Sequence, residues 1–170
     1  MRRFTEAGRL AINSHNWYAA LSLALMIPDI CGTLEEPGTS NVGERYRKWC
    51  DSWLVTQYKI VNEGRETILL SAQDCYQLRC SLIHSGSDII NPKKRDTIER
   101  VKFVDPTNGS HLIKMDGVLH LRADRFSEEM YLAAEKWDDA KLEDKEVQSE
   151  KERLLSIHSG TVTTAEVRVS

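Results

Sequence analysis

The sequence predicts a mainly α-helical fold: a four-helix bundle with a small antiparallel β insertion before the last core helix. Three observations carry that prediction. Apolar residues recur at helical spacing in four separate segments, as expected of helices that each bury one face. Between the third and fourth segments, from about residue 100 to 121, the apolar period shortens to two and the turn residues Pro106, Asn108, Gly109 and Gly117 appear. The composition, 41% hydrophobic and 29% charged over 170 residues, suits a chain able to bury one core.

The first helix is expected from about Thr5 to Ile27. Its second half, Trp17 to Ile27, is apolar nearly all round, which predicts cover on several sides. Pro28 and Gly32 should interrupt it, and Glu35 to Ser40, with Pro37-Gly38, reads as a loop. Asp29 then reads as a helix-end cap, with a role in orienting His84 as the alternative. The second helix starts near Asn41, with Glu44 in the capping-box position. Val42, Tyr46, Trp49, Cys50, Trp53 and Leu54 line one face; Arg45, Arg47, Lys48 and Asp51 take the other, up to Asn62–Gly64.

The third helix opens at Ser71, with Asp74 as its capping partner, and stops at Gly86. Val101–Val104 and His111–Met115 flank Pro106/Asn108-Gly109 and predict a hairpin. Asp116-Gly117 turns the chain again into Val118–Leu121, completing an antiparallel meander. The last core helix begins near Asp124, with Phe126, Met130, Ala133, Ala134 and Trp137 on one face. The four tryptophans fall at helical spacings and read as core. Residues 1–140 thus form one domain, and 141–170 a charged helical extension or flexible tail. In that tail Val162, Val167 and Val169 would add a strand to a partner that accepted one.

Several function classes are disfavoured. The net charge of −3 provides no global attraction for nucleic acid, so such binding needs a local basic patch. The basic start lacks a signal-type apolar region, and the apolar run is too short to cross a bilayer. The expected compartment is therefore the cytoplasm, with no membrane. Four cysteines without a Cys-x-x-Cys pair read as buried free thiols. No metal-ligand spacing, Walker loop or nucleophile elbow occurs, so neither metal nor cofactor is expected.

The chemistry-bearing candidate is Arg79-Cys80-Ser81-Leu82-Ile83-His84, an Arg-x4-His arrangement on the third helix. A guanidinium can hold a phosphate through two charge-assisted hydrogen bonds and stabilise transition-state charge. An imidazole can take the proton of a ribose 2′-hydroxyl and return one to a leaving 5′-oxygen. Five residues span about 140° of helix, so the two meet only through arginine's length and unwinding at Gly86. Helix-end position favours a charged His84. Two other pairs, Arg9/His15 and Arg153/His158, have similar spacing, and about 0.4 matches are expected by chance. The Arg79 helix is preferred because it has a cap, a stop and the apolar backing of Cys75, Leu78 and Leu82.

Through this motif and the order of its helices, roughly residues 5 to 140, the chain resembles the HEPN superfamily. The resemblance implies a helical bundle, usually dimeric, in which Arg79 and His84 form a metal-independent endoribonuclease site at a dimer cleft. It also implies a toxin or antiviral context, with an antitoxin or regulatory protein as partner. Cys80 stands where the family often has Asn, Asp or His. The basic run Lys93-Lys94-Arg95 is the candidate RNA-binding segment. A second reading is a non-catalytic HEPN-like module that dimerises or regulates a partner protein.

Overall fold

The computed structural model describes residues 1–62 and 64–157, apart from the side chains of Asn62 and Asn108. Among the described residues there are six α-helices and two small sheets. The helices are α1 (Arg2–Asn13), α2 (Trp17–Glu35), α3 (Val42–Trp53), α4 (Ala72–Ser85), α5 (Ala123–Ala140) and α6 (Lys145–Glu152). The strands are β1 (Lys59–Asn62), β2 (Arg65–Ile68), β3 (Arg100–Val104), β4 (Ile113–Met115) and β5 (Val118–Arg122).

The expected first helix is two helices. Asn16 N–H donates to the Ala11 carbonyl and His15 N–H to that of Ile12, the Schellman pattern that closes a helix. His15 supplies the left-handed residue, at φ 56°, that glycine usually supplies. Asn16 then caps α2 by accepting from Ala19 N–H. Conversely, Pro28 does not end α2, which runs on to Glu35. Proline removes one helix hydrogen bond at a cost of about 3 kcal/mol. Burial on several sides outweighs that, because Ala20, Leu21, Ala24, Leu25, Ile27, Cys31 and Leu34 are all buried.

Helix α2 is the central element, packed on α1, α3 and α5, with α4 and α6 also against it. By length and composition alone it could cross a membrane, but half of that window is buried inside the fold. Its approach to α3 is close: a Cβ on Gly32 would lie 3.2 Å from Arg45 Cβ and carbonyl oxygen. Helix α2 also packs on α5, whose Phe126, Met130, Ala133, Ala134 and Trp137 are fully buried as the periodicity predicts. The cysteines are free thiols; Cys31, Cys50 and Cys75 are buried and Cys80 half-buried. Helix α6 docks through buried Val147, with Lys151 paired to Asp138 and Lys141 to Glu35. The valines of the final segment and His158 lie outside the described residues.

The insertion differs from an antiparallel meander. β5 is the central strand, antiparallel to β4 through the Asp116-Gly117 turn but parallel to β3. The segment after β3 forms a 3₁₀ turn at Pro106–Asn108 and carries the chain past β5 before β4 begins. Burial selects this order: Leu119 and Leu121 of β5 are sealed, whereas all of β4 is exposed. The span before Asn62–Gly64 also departs from a continuous helix. α3 stops at Trp53, a 3₁₀ turn follows, and β1 pairs antiparallel with β2.

Candidate functional site

Helix α4 carries the candidate motif, and its placement follows from its two ends. Ser71 Oγ accepts from Asp74 N–H at 3.1 Å. The Asp74 carboxylate, fully buried, accepts from Ser71 Oγ, Asp96 N–H, Thr97 N–H and Thr97 Oγ1. One acid therefore fixes both the start of α4 and the loop that returns to it. At the other end Gly86, at φ 60°, closes the helix on the Leu82 and Ser81 carbonyls.

Between these ends Arg79 and His84 meet. Arg79 Nη1 lies 3.1 Å from His84 Nε2, and Arg79 Nε donates to Asp29 Oδ2 at 2.7 Å. A guanidinium only donates, so this contact uses the lone pair of His84 Nε2 and belongs to the neutral ring with its proton on Nδ1. Because Pro28 does not break α2, Asp29 sits inside that helix and reaches Arg79; it neither caps a helix end nor touches His84. The Arg79 and Asp29 side chains are each 19% exposed, while His84 is exposed. Burial pushes the Asp29 carboxyl above its ordinary range, outweighing the opposite pull of Arg79.

The surroundings are sparse. Cys80 contacts Arg79 and Tyr76, and Tyr76 meets Tyr46 at a tilt and lies under Arg47. Arg45, placed by periodicity on the exposed face of α3, is buried instead; among the described residues its side chain makes one hydrogen bond, from Nη2 to Thr33 Oγ1 at 3.3 Å. Past the end of α4 an open groove of about 560 Å³ is lined by Tyr18, Leu21, Leu82, Gly86 and Phe103 among others, but by neither Arg79 nor His84. Two residues turn an α-helix by about 200°, so His84 faces away from Leu82 and Gly86.

The basic run stands apart from the motif. Lys93, Lys94 and Arg95 are exposed, and Arg95 pairs with Glu99. Gln73 Nε2 donates to the Lys94 carbonyl, which ties the run to the first turn of α4. His84 lies eleven residues further on, about 16 Å along the axis.

Of the rival pairs, Arg9/His15 lies wholly within the described residues, whereas His158 lies outside them. Arg9 is forked between Glu128 and Glu135, whereas His15 meets Trp17 edge to face. Arg153 pairs with Glu150. A further histidine–carboxylate contact, missed in the sequence because its members lie 18 residues apart, joins His111 Nε2 to Glu129, which also accepts from Tyr58. His111 Nδ1 accepts from Arg122 N–H, so both ring nitrogens are occupied and the cluster is structural. Among the described residues no three His, Cys, Asp or Glu side chains converge as metal ligands. The chain matches no protein-family model, no curated protein and no solved structure.

Proposed function

We propose that this chain is a HEPN-like, cytoplasmic, metal-independent endoribonuclease of a toxin or antiviral system, acting as a homodimer through Arg79 and His84. The family assignment, its four-helix core and the dimer are parts of this proposal. The observation that carries it is the 3.1 Å contact between Arg79 and His84, which brings a phosphate-binding cation and a proton carrier together on one capped helix.

The contact also suggests an order of events. A phosphodiester that binds Arg79 draws Nη1 off His84 and frees the Nε2 lone pair. That nitrogen then accepts the proton of the 2′-hydroxyl as its oxygen attacks phosphorus. The 5′-oxygen leaves and takes the proton back from the imidazolium, giving a 2′,3′-cyclic phosphate and a 5′-hydroxyl. Asp29 holds the guanidinium in register throughout, and the exposed Lys93-Lys94-Arg95 run would track more distant phosphates.

A second reading, a non-catalytic module that dimerises or regulates a partner such as an antitoxin, is favoured by one specific observation. Arg79 and His84 are in contact with each other, neither lines the groove past the end of α4, and a thiol follows the arginine. Incubation with single-stranded RNA in EDTA separates the readings. Fragments ending in cyclic phosphate, with DNA left intact, support the nuclease; intact RNA at micromolar protein supports the module. A monomeric mass in sedimentation at that concentration would remove the dimer.

A further inference from the structure

Arg45 is the anomaly of the interior. Only 9% of the residue is exposed, yet among the described residues no carboxylate lies within ion-pair distance of its guanidinium. Its Nε is sealed from solvent without a hydrogen-bond partner, and Nη2 makes a single long contact to the Thr33 hydroxyl. Cations buried in this way are costly and are ordinarily paired. The other arginines near the core follow that rule: Arg9 takes two glutamates, Arg79 takes Asp29 and Arg122 takes Asp124.

The position of Arg45 gives the anomaly a direction. Thr33 is one helical turn beyond Asp29 on α2, so the residue that Arg45 meets and the residue that Arg79 meets are neighbours on one face of that helix. Its charge is felt at Asp29, whose second oxygen, Oδ1, is likewise buried without a partner. The group therefore holds two guanidiniums, one carboxylate and a neutral imidazole, an excess of one positive charge. Arg79 is already committed to Asp29 and His84, and Arg45 is the uncommitted cation.

We propose that Arg45 is a phosphate-binding residue of this site, whose guanidinium takes a non-bridging oxygen of an RNA phosphodiester held against Asp29, Arg79 and His84. The proposal rests on the nuclease reading for the identity of the ligand, but not for the anion site itself. The bound oxyanion supplies the acceptor that Arg45 lacks, and it lets Arg79 turn toward phosphorus while its partner cation carries part of the charge. Unpaired burial of this kind is the pattern expected where stability is given up for binding.

The test is binding, read separately from cleavage. Inorganic phosphate and a non-cleavable 2′-O-methyl RNA tetranucleotide are titrated into wild type, Arg45→Met and Arg45→Gln, following melting temperature and tryptophan fluorescence. Wild type is expected to be stabilised by both probes and to bind the tetranucleotide at least about tenfold more tightly. Arg45→Met, which removes an unpaired buried charge at similar volume, should melt no lower than wild type without ligand. It should also lose about tenfold or more in affinity for the tetranucleotide. Arg45→Gln should lose the response equally and decides the matter if the methionine variant does not fold. Undiminished binding in a folded Arg45 variant, or no response in wild type, overturns the proposal. Preference for inorganic phosphate overturns the phosphodiester assignment. Loss of binding in the variants with no RNA cleavage by wild type leaves the anion site standing and removes the nuclease reading instead.

Discussion

Gly8 on α1 and Tyr131 on α5 allow the packing account to be tested by a change of sign. A Cβ on Gly8 would lie 2.1 Å from Tyr131 Cζ and 2.2 Å from its hydroxyl. The ring would have to retreat by at least about 1.3 Å to reach the 3.4 Å at which ordinary contacts begin. Tyr131 is fully buried and its hydroxyl donates to the Ala20 carbonyl at 2.6 Å, so retreat also breaks that bond. Overpacking costs about 1–3 kcal/mol and an orphaned buried hydroxyl about 1–3 kcal/mol. Replacing glycine by alanine within a helix returns about 1 kcal/mol. Gly8→Ala should therefore destabilise by about 1–5 kcal/mol, lowering the melting temperature by roughly 2–20 °C. In a Tyr131→Leu background the obstruction is gone, and the same substitution should be neutral or stabilise by up to about 1 kcal/mol. Urea titrations followed by tryptophan fluorescence measure all four corners of the cycle, with unchanged slopes as the condition for comparing midpoints. A Gly8→Ala protein more stable than wild type would refute the α1–α5 packing.

Further outcomes follow from other contacts. Asp74→Ala orphans the amides of Asp96 and Thr97 and should cost about 3–5 kcal/mol, with hydrogen exchange accelerated at those two amides; unchanged exchange would contradict the clamp. The Glu135 carboxyl is held below its ordinary 4.5 by the hydrogen bonds of Arg9, with Thr5 adding to the effect. Its contribution is therefore present above about pH 4.5 and lost as pH falls through the lower folded value. Glu135→Gln should lower stability at pH 7 and flatten the decline below pH 4.5, as read by melting across pH; an unchanged acid limb would contradict it. Gly117, at φ 76°, would bring a Cβ within 2.8 Å of Glu99 Cγ. Gly117→Val should cost about 1–3 kcal/mol and weaken the β4–β5 pairing, as seen in amide exchange; normal stability would contradict the turn.

The helical frame was legible because burial is periodic and caps are local. Ser71 with Asp74, Asn41 with Glu44 and the face from Phe126 to Trp137 needed only neighbours in the chain. The departures have non-local causes. His15 closes α1 in a conformation that glycine normally signals, and Pro28 is tolerated because tertiary cover outweighs its local cost. The parallel pairing of β3 with β5 depends on which strand the core covers, which a turn signal does not encode. At the candidate site, spacing singles out Arg79 and His84, and Asp29 reads as a cap or as a partner of His84; its contact with Arg79 instead depends on the continuation of α2 past Pro28. Arg45 was hidden for a similar reason: its heptad position reads as solvent-facing, and only the close crossing at Gly32 buries it.

The measurement that tests the central claim most directly is single-turnover cleavage of single-stranded RNA in EDTA by wild type, Arg79→Ala and His84→Ala, each shown to be folded by its melting curve. Loss of a positioned acid–base group or phosphate cation costs about 100-fold or more. The account predicts cleavage by wild type and a rate at least about 100-fold lower in each variant. Cleavage by both variants within threefold of wild type, or by none of the three proteins, would contradict it.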